Sequence, residues 1–277
     1  MNPAPKHVVH FSGGSCSWAA GKRVVERHGL DGVILLFADV KYEDEDTYRY
    51  LADAAANIGA PLVTVAEGRN PWEVFRDVRM LGNSRIDPCS RILKRELLEK
   101  WVRANCDENT VHHFGIHPSE IDRFIRLRDR MAPRKVSAPL CERPIMGLRD
   151  IRDWEAREGL RRQKLYTEGF PHANCGRRCV KQGQAGWALL LRQRPESFAE
   201  CERKEQEMRD FLGKDVSMLK ERAGGESKPL TLATLRARIE AGVETDPFDF
   251  GGCACAIEDS EDVCELPVAA AKRAGVY

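Results

Sequence analysis

Three observations predict an α/β doubly wound fold with a parallel sheet, followed by a mostly helical, cysteine-bearing C-terminal extension. Short apolar runs recur through the first half of the chain, amphipathic stretches separate them, and strand-like runs cease after about residue 165. Unbroken apolar runs suit parallel strands, which crossover helices bury on both faces. The first run, 7–11 (HVVHF), stops at Ser12-Gly13-Gly14, and the second, 33–38 (VILLFA), ends at Asp39. Residues 61–65 (PLVTV) and 110–116 (TVHHFGI) supply a third and a fourth. Helical spacing fills the gaps at 18–28, 45–58 and 92–104; in the second of these Tyr48, Leu51, Ala55 and Ile58 form one stripe. The predicted α/β domain spans 1–165 and the extension 166–277, where helices are expected at 184–194, 196–212 and 231–241, with a flexible connector at 223–229 and no strand.

Composition narrows the class. The 277 residues carry 44 Lys+Arg against 43 Asp+Glu, with 42% apolar and 31% charged residues, as in soluble globular proteins. The longest apolar run, 33–38, falls far short of the roughly 18 residues that cross a bilayer. The N-terminus has no apolar signal core, so a cytoplasmic location without membrane contact is expected. Ten cysteines are present. In a reducing compartment they are expected to serve metal binding, redox chemistry or packing rather than disulfides.

The segment Ser12-Gly13-Gly14-Ser15-Cys16-Ser17 follows a strand and opens a helix. Two glycines allow a tight turn, and successive N–H groups and hydroxyls at a helix N-terminus suit a phosphate or pyrophosphate. An ordinary glycine-rich strand-to-helix turn explains the same residues. The segment matches neither the P-loop nor the dinucleotide pattern.

Cys175 and Cys179 form one close pair and Cys253 and Cys255 another, each beside glycine. Four thiolates suit tetrahedral zinc or an iron–sulfur cluster, and burial alone is the competing explanation. Cys89 stands directly before a helix, where the dipole favours a thiolate, and Cys16 could be reactive for the same reason. Cys106 and Cys201 fall in helical patterns and read as packing residues. Arg123, Arg126, Arg128, Arg130, Arg134 and Lys135, with Arg161, Arg162, Lys164, Arg177, Arg178 and Lys181, could form a positive rim, or solvated helix faces balanced by acids. Strand alternation sends His112 and His113 to opposite faces, which argues against a shared ligand role, and His172 is the better site candidate.

The stretch HFSGGSCSW resembles the SGGxDS signature of the PP-loop superfamily, with a Rossmann-like fold and members that bind ATP or a sulfated adenine nucleotide. FADVKYEDEDTYRYL resembles a second-strand motif of phosphoadenylylsulfate (PAPS) reductase-like proteins, here Asp39, Glu43, Thr47 and Tyr48. PCSRILKRELLEKW resembles their next segment and supplies Cys89, Ser90 and Lys94, while FGIHPSEIDR supplies Gly115, Ile116, Glu120 and Arg123. RPIMGLRDIRDWEAREGL resembles the stretch before the last sheet-associated helix. The resemblance covers about residues 7–190. Cys16 stands where the superfamily's loop carries an acid, which weakens the expectation of Mg²⁺-assisted ATP cleavage and leaves nucleotide binding intact.

The resemblance implies ATP or a PAPS-like nucleotide held by Ser12, Gly13, Gly14, Ser15, Cys16, Ser17, Asp39, Gly115, Ile116 and Glu120. It further implies a [4Fe–4S] cluster on Cys89, Cys175, Cys179 and one of Cys253 and Cys255, with zinc as the alternative. Lys94 and Arg123 would neutralise developing charge, and Cys255 would carry sulfur. The expected activity is adenylation and thiolation of a nucleic-acid or small-molecule acceptor, with a sulfur-donor or reductase protein as partner and a homodimer among the allowed assemblies. PAPS-type sulfonucleotide reduction is the alternative, although the reductases' Glu-Cys-Gly tail is absent. A non-catalytic nucleotide-binding protein with structural zinc is the other.

Overall fold

Valine, leucine, isoleucine and phenylalanine in unbroken runs favour pleated strands buried on both sides. A computed structural model, which describes residues 4–223 and 226–252, arranges five such strands in one parallel sheet. In chain order the elements begin β1 (His7–His10), α1 (Ser15–His28), β2 (Val33–Asp39), α2 (Glu45–Ile58), β3 (Leu62–Ala66) and α3 (Pro71–Asp77). A helical turn α4 (Pro88–Ser90) runs through a π-helical segment (Arg91–Glu96) into α5 (Leu97–Asn105). There follow β4 (Val111–Phe114), α6 (Ile121–Met131), β5 (Lys135–Ser137), α7 (Leu148–Arg157) and α8 (Lys164–Thr167). The last part holds α9 (Gln184–Gln193), α10 (Pro195–Leu212), β6 (Leu219–Ala223), β7 (Glu226–Leu230) and α11 (Leu232–Glu240).

The sheet order is β3-β2-β1-β4-β5, with His7 of β1 in register with both Val33 and Val111. The doubly wound parallel sheet is therefore the observed fold. The order reverses between β1 and β4, and there a crevice opens at the carboxyl ends of the strands. No helix among the described residues is long and apolar enough to cross a membrane.

Two strand expectations need correction. β5 is three residues of KVS at the sheet edge, too short and polar to register as an apolar run. β6 and β7 pair antiparallel, Leu219 opposite Leu230 and Ala223 opposite Glu226, where only a connector was expected. Their sequences, LKERA and ESKPL, lack apolar alternation; Leu219 and Leu230 at one end tie the hairpin to the core. That core crosses the residue-165 boundary. Val40, Trp72, Phe75 and Leu93 share one apolar cluster with Leu165, Trp187, Phe198 and Leu235. Trp187 meets Phe198 edge-on at 5.9 Å, an aromatic geometry worth about 1 kcal/mol beyond its burial.

Histidines pair across β1 and β4 on both faces of the sheet. His10 Nε2 lies 3.2 Å from His112 Nδ1, and His7 Nδ1 lies 3.0 Å from His113 Nε2. Burial, reinforced by the neighbouring imidazoles, lowers His10 to about 3 and His113 to about 3; burial with Arg134 lowers His112 to about 4. All three are neutral at pH 7. A second buried polar group organises the extension: the Glu205 carboxylate accepts from Met218 N at 2.8 Å and from Leu232 N at 2.6 Å, joining α10 to the hairpin and to α11.

These histidines set the acid limb of stability. Each binds its proton more readily unfolded, near pH 6.5, so stability is complete above that value and falls as pH drops towards the folded values of about 3 to 4. The loss is on the order of 1 kcal/mol per imidazole at pH 5.5. Denaturant melts between pH 7.5 and 5.5 should show that slope, and His113→Asn should flatten it; an unchanged slope would refute the assignment. Glu205→Ala strands two buried N–H groups and should cost about 2–3 kcal/mol, read as a lower denaturant midpoint.

Candidate functional site

The crevice at the β1/β4 reversal is built around the glycine loop. Gly13 turns the chain at φ +77°, a conformation in which a β-carbon is strained. Gly14 caps α1 with extended backbone, and its carbonyl accepts from Ser17 N at 3.0 Å and Trp18 N at 3.1 Å. Ser17 Oγ bonds back to Gly14 O at 2.7 Å. Against the loop lies Gly115: a β-carbon there would stand 2.5 Å from Cys16 O and 2.6 Å from Ser17 N. The end of β4 can approach the loop this closely only as glycine.

A cavity of about 130 Å³ opens beside this junction, with Ser12, Ser17, Lys94, Gly115, Ile116 and Arg123 in its wall. Six of the residues expected at a nucleotide site thus meet in one place. Asn174 completes the wall and leads directly into Cys175. Gln163 and Tyr166, which no motif marks, brace the loop from behind. Gln163 donates to Gly13 O and lies 3.2 Å from Thr47 Oγ1. The Tyr166 hydroxyl sits 3.2 Å from where a Gly14 β-carbon would be and accepts from Ser15 N–H. Both come from the α7–α8 region, more than a hundred residues away in sequence.

Several expected site residues act as braces. Asp39 at the end of β2 is buried and accepts from Tyr48 Oη at 2.7 Å and from Lys41 N at 2.8 Å, while its other oxygen pairs with Lys41 Nζ at 2.8 Å. Burial opposes its charge, but bonds from Lys41 and Tyr48 prevail and hold its carboxyl below the usual range. Glu120 pairs with Arg123 on the following turn. Ser15 is buried beneath the loop.

Glu43 connects the cavity to the cysteines. Its buried carboxylate faces Lys94 Nζ at 3.5 Å and accepts from the backbone N–H of Cys175. Cys175, Gly176 and Arg177 all take left-handed φ, +53°, +57° and +61°, a turn that costs of order 1 kcal/mol or more per non-glycine residue. Cys89 packs against the cluster that contains Cys175 and Cys179. Its thiol is pushed up to about 12 by burial and then by the nearby Cys175 sulfur. The chain returns to this place at its described end, where Gly251 bridges to Gln182 and Asp249 O accepts from Ala185 N at 2.8 Å. Cys253 and Cys255 lie outside the described residues. Among the described residues, no three His, Cys, Asp or Glu side chains are grouped to hold a metal ion.

The thiol expectations are corrected. Cys16 is pushed up to about 12 by burial, then by Glu120 and Glu155, and packs against the core beneath α1 instead of facing the cavity. A helix N-terminus contributes under about 1 kcal/mol to a thiolate and is outweighed at both Cys16 and Cys89. Cys201 is fully buried and Cys106 packs under α5, as expected of structural thiols. The single basic rim also divides: Arg123 lines the cavity, Arg177 is buried against His172 away from it, and Arg178 stacks 4.0 Å over Tyr42.

No family model matches the chain. An uncharacterized protein of Methanocaldococcus jannaschii is 26% identical over 172 residues, 61% of this chain and 35% of that protein; the chain spans about a third of this curated relative's length. Among solved structures, the phosphate complex of PAPS reductase from Candida auris aligns with 14% identity and a TM-score of 0.44, over 59% of this chain and 78% of that one. The NH3-dependent NAD synthetase of Campylobacter jejuni, with bound nitrate, aligns with 15% identity and a TM-score of 0.37, over 79% and 91%.

The Gly115 junction makes a sharp prediction. Gly115→Ala must push the loop off the end of β4, so affinity for a fluorescent ATP analogue should fall at least tenfold while far-ultraviolet circular dichroism stays unchanged. Unaltered affinity would show that the loop does not hold the nucleotide.

Proposed function

We propose that the chain is a PP-loop enzyme that binds ATP or a related adenine nucleotide and performs sulfur transfer: an acceptor oxygen is adenylated with release of pyrophosphate, and a sulfur group then displaces AMP. One observation carries this reading: Glu43 joins Lys94, in the wall of the glycine-loop cavity, to the backbone of Cys175. Nucleotide chemistry and thiol chemistry would thus share one wall.

In this mechanism Ser12 and Ser17 hydroxyls and the loop amides orient the phosphates. Lys94 and Arg123 offset the negative charge that grows as pyrophosphate leaves. The Glu43 pairing keeps Lys94 aimed into the cavity, and the Gly115 contact keeps the loop from sagging. Cys16 leaves this loop without a carboxylate, and no step here depends on Mg²⁺.

The resemblance would place a [4Fe–4S] cluster on Cys89, Cys175, Cys179 and one of Cys253 and Cys255; Cys89 and Cys175 are neighbours, and among the described residues no third metal-binding side chain is grouped with them. Such a cluster would supply a site at which sulfur is held for transfer. The buried Lys181 pairs at 3.6 Å with Asp87, two residues before Cys89 in the chain. The absent loop carboxylate favours one other reading, a nucleotide-binding protein with structural zinc.

Protein purified without oxygen should be brown, with about four iron and four labile sulfide per chain, and Cys175→Ser should lose both. Colourless protein with stoichiometric zinc would exclude the cluster. Pyrophosphate release from ATP in the presence of acceptor should fall about 10²-fold in Lys94→Met, with nucleotide affinity changed far less. Equal release by the variant would remove Lys94 from the chemistry.

A further inference from the structure

A guanidinium taken out of water is costly unless an opposite charge answers it. Arg23, in the middle of α1, is only 6% exposed. Its Nη1 donates to three backbone carbonyls, Pro139 O at 2.7 Å, Pro144 O at 2.8 Å and Glu142 O at 3.3 Å. Among the described residues no carboxylate pairs with it, and its Nε and Nη2 carry no bond. Burial first and Arg27 second pull its pKa down, and the more distant Glu142 and Glu26 do not restore it. This guanidinium lines a cavity of about 220 Å³ on the face of the sheet that α1 covers, at the amino ends of β1 and β4. The glycine loop lies at the other end of β1. The cavity opens at Arg27 and His28, both exposed, and His113 of β4 forms part of its wall. His7 stacks on His28 at 4.2 Å and meets His113 Nε2 through its Nδ1 at 3.0 Å. His113 is 3% exposed, and its Nδ1 has no partner among the described residues. Glu142 is the wall's acid: one oxygen accepts from Ser137 Oγ at 2.7 Å and the other pairs with Arg27. Two cations thus face one anion, and the charge of Arg23 is the surplus.

We propose that this cavity is a phosphate site separate from the glycine loop, taking hydrogen phosphate or a phosphomonoester with Arg23 as its buried counter-charge. The planar guanidinium matches a tetrahedral oxyanion, and the two nitrogens of Arg23 without a bond supply such donors. His113, held neutral by burial, adds another: when His7 donates to Nε2, the ring's own proton stands on Nδ1. Arg27, 40% exposed in its side chain, can share its guanidinium between Glu142 and a ligand, because an exposed pair is weak. Glu142 sets the selectivity. A carboxylate in the wall repels an oxyanion that has lost every proton and accepts from one that keeps a P–O–H, so phosphate is favoured over sulfate. The site also has a structural consequence. Arg23 sits on the helix that the glycine loop opens, and His113 stands two residues before Gly115. A phosphate held by both clamps together the two elements whose close approach at Gly115 and Cys16 forms the glycine-loop junction. The site holds whether or not the glycine loop binds ATP.

The test is nuclear magnetic resonance of the full chain, ¹⁵N-labelled on its seven histidines, at pH 7.5 and constant ionic strength. Sodium phosphate, glycerol 3-phosphate and sodium sulfate are titrated separately, and the ring signals are assigned with His7→Gln and His28→Gln. Phosphate should move His7, His28 and His113 along one curve that saturates by about 10 mM. His10 lines the glycine-loop cavity and reports phosphate binding there independently. The phosphate arm that saturates at the lower concentration identifies the ligand as the free ion or an ester, and sulfate should bind at least tenfold more weakly than either. Arg23→Lys should abolish the response of the three histidines. Should that variant misfold, Arg27→Ala, at the exposed mouth, should weaken the response at least tenfold and leave that of His10 unchanged. Glu142→Gln should bring sulfate to within about twofold of phosphate. A phosphate response confined to His10, or none that saturates by about 50 mM, overturns the proposal. So does an unaltered response in Arg27→Ala, and so does equal binding of sulfate and phosphate by the native chain.

Discussion

The buried carboxylate of Glu43 is the constraint on which the site depends. A carboxylate removed from water is costly unless it is paired and hydrogen-bonded, by several kcal/mol for an ion left alone. Glu43 meets that demand with Lys94 from the π-helical segment and the N–H of Cys175 from the extension. Three separate stretches of chain are thereby pinned at one point. The left-handed turn through Cys175, Gly176 and Arg177 begins at the same residue. The π-helical segment has a related origin: one extra residue in the turn re-aims the side chains at the end that faces the cavity.

The fold was legible where burial acts on runs of residues. Strands β1 to β4 are announced by uninterrupted apolar sequence, and α2 by its apolar stripe. The hairpin was not legible, because its ten residues are mostly polar; Leu219 and Leu230 reach the core. β5 escaped for the same reason: an edge strand of three residues has too little apolar area to leave a pattern. Nor did periodicity reveal that the region around residue 165 shares its core with α3, since that contact is made between elements far apart in the chain.

The site divides along the same line. Of the cavity's wall, Ser12 and Ser17 were singled out by the glycine-loop pattern, and Gly115 with Ile116 by the family resemblance. Gln163 and Tyr166 were missed because their role exists only after long-range packing brings them behind the loop. Local reasoning also misjudged the thiols. A helix N-terminus draws Cys16 and Cys89 toward the thiolate, but burial opposes charge more strongly than a half-unit dipole attracts it. Tyr48 illustrates a third case. The motif singles it out, and in the structure it holds Asp39 through a 2.7 Å bond from the first turn of α2.

A net charge of +1 conceals how the cations are spent. Arg194 joins Asp44 and Glu168, and Arg236 and Arg238 clamp Glu202 and Glu221, so the extension's arginines serve the fold. Lys94 and Arg123 instead face the cavity, and five further arginines rim the neighbouring groove between α5 and α6. Topology explains this arrangement better than composition does. The helices before and after β4 leave the sheet on either side of it, so the reversal that creates the crevice at the strand ends also parts α5 from α6. A glycine-rich loop at a helix N-terminus, a left-handed cysteine turn and an arginine-rimmed groove then lie around the strand ends at the β1/β4 reversal.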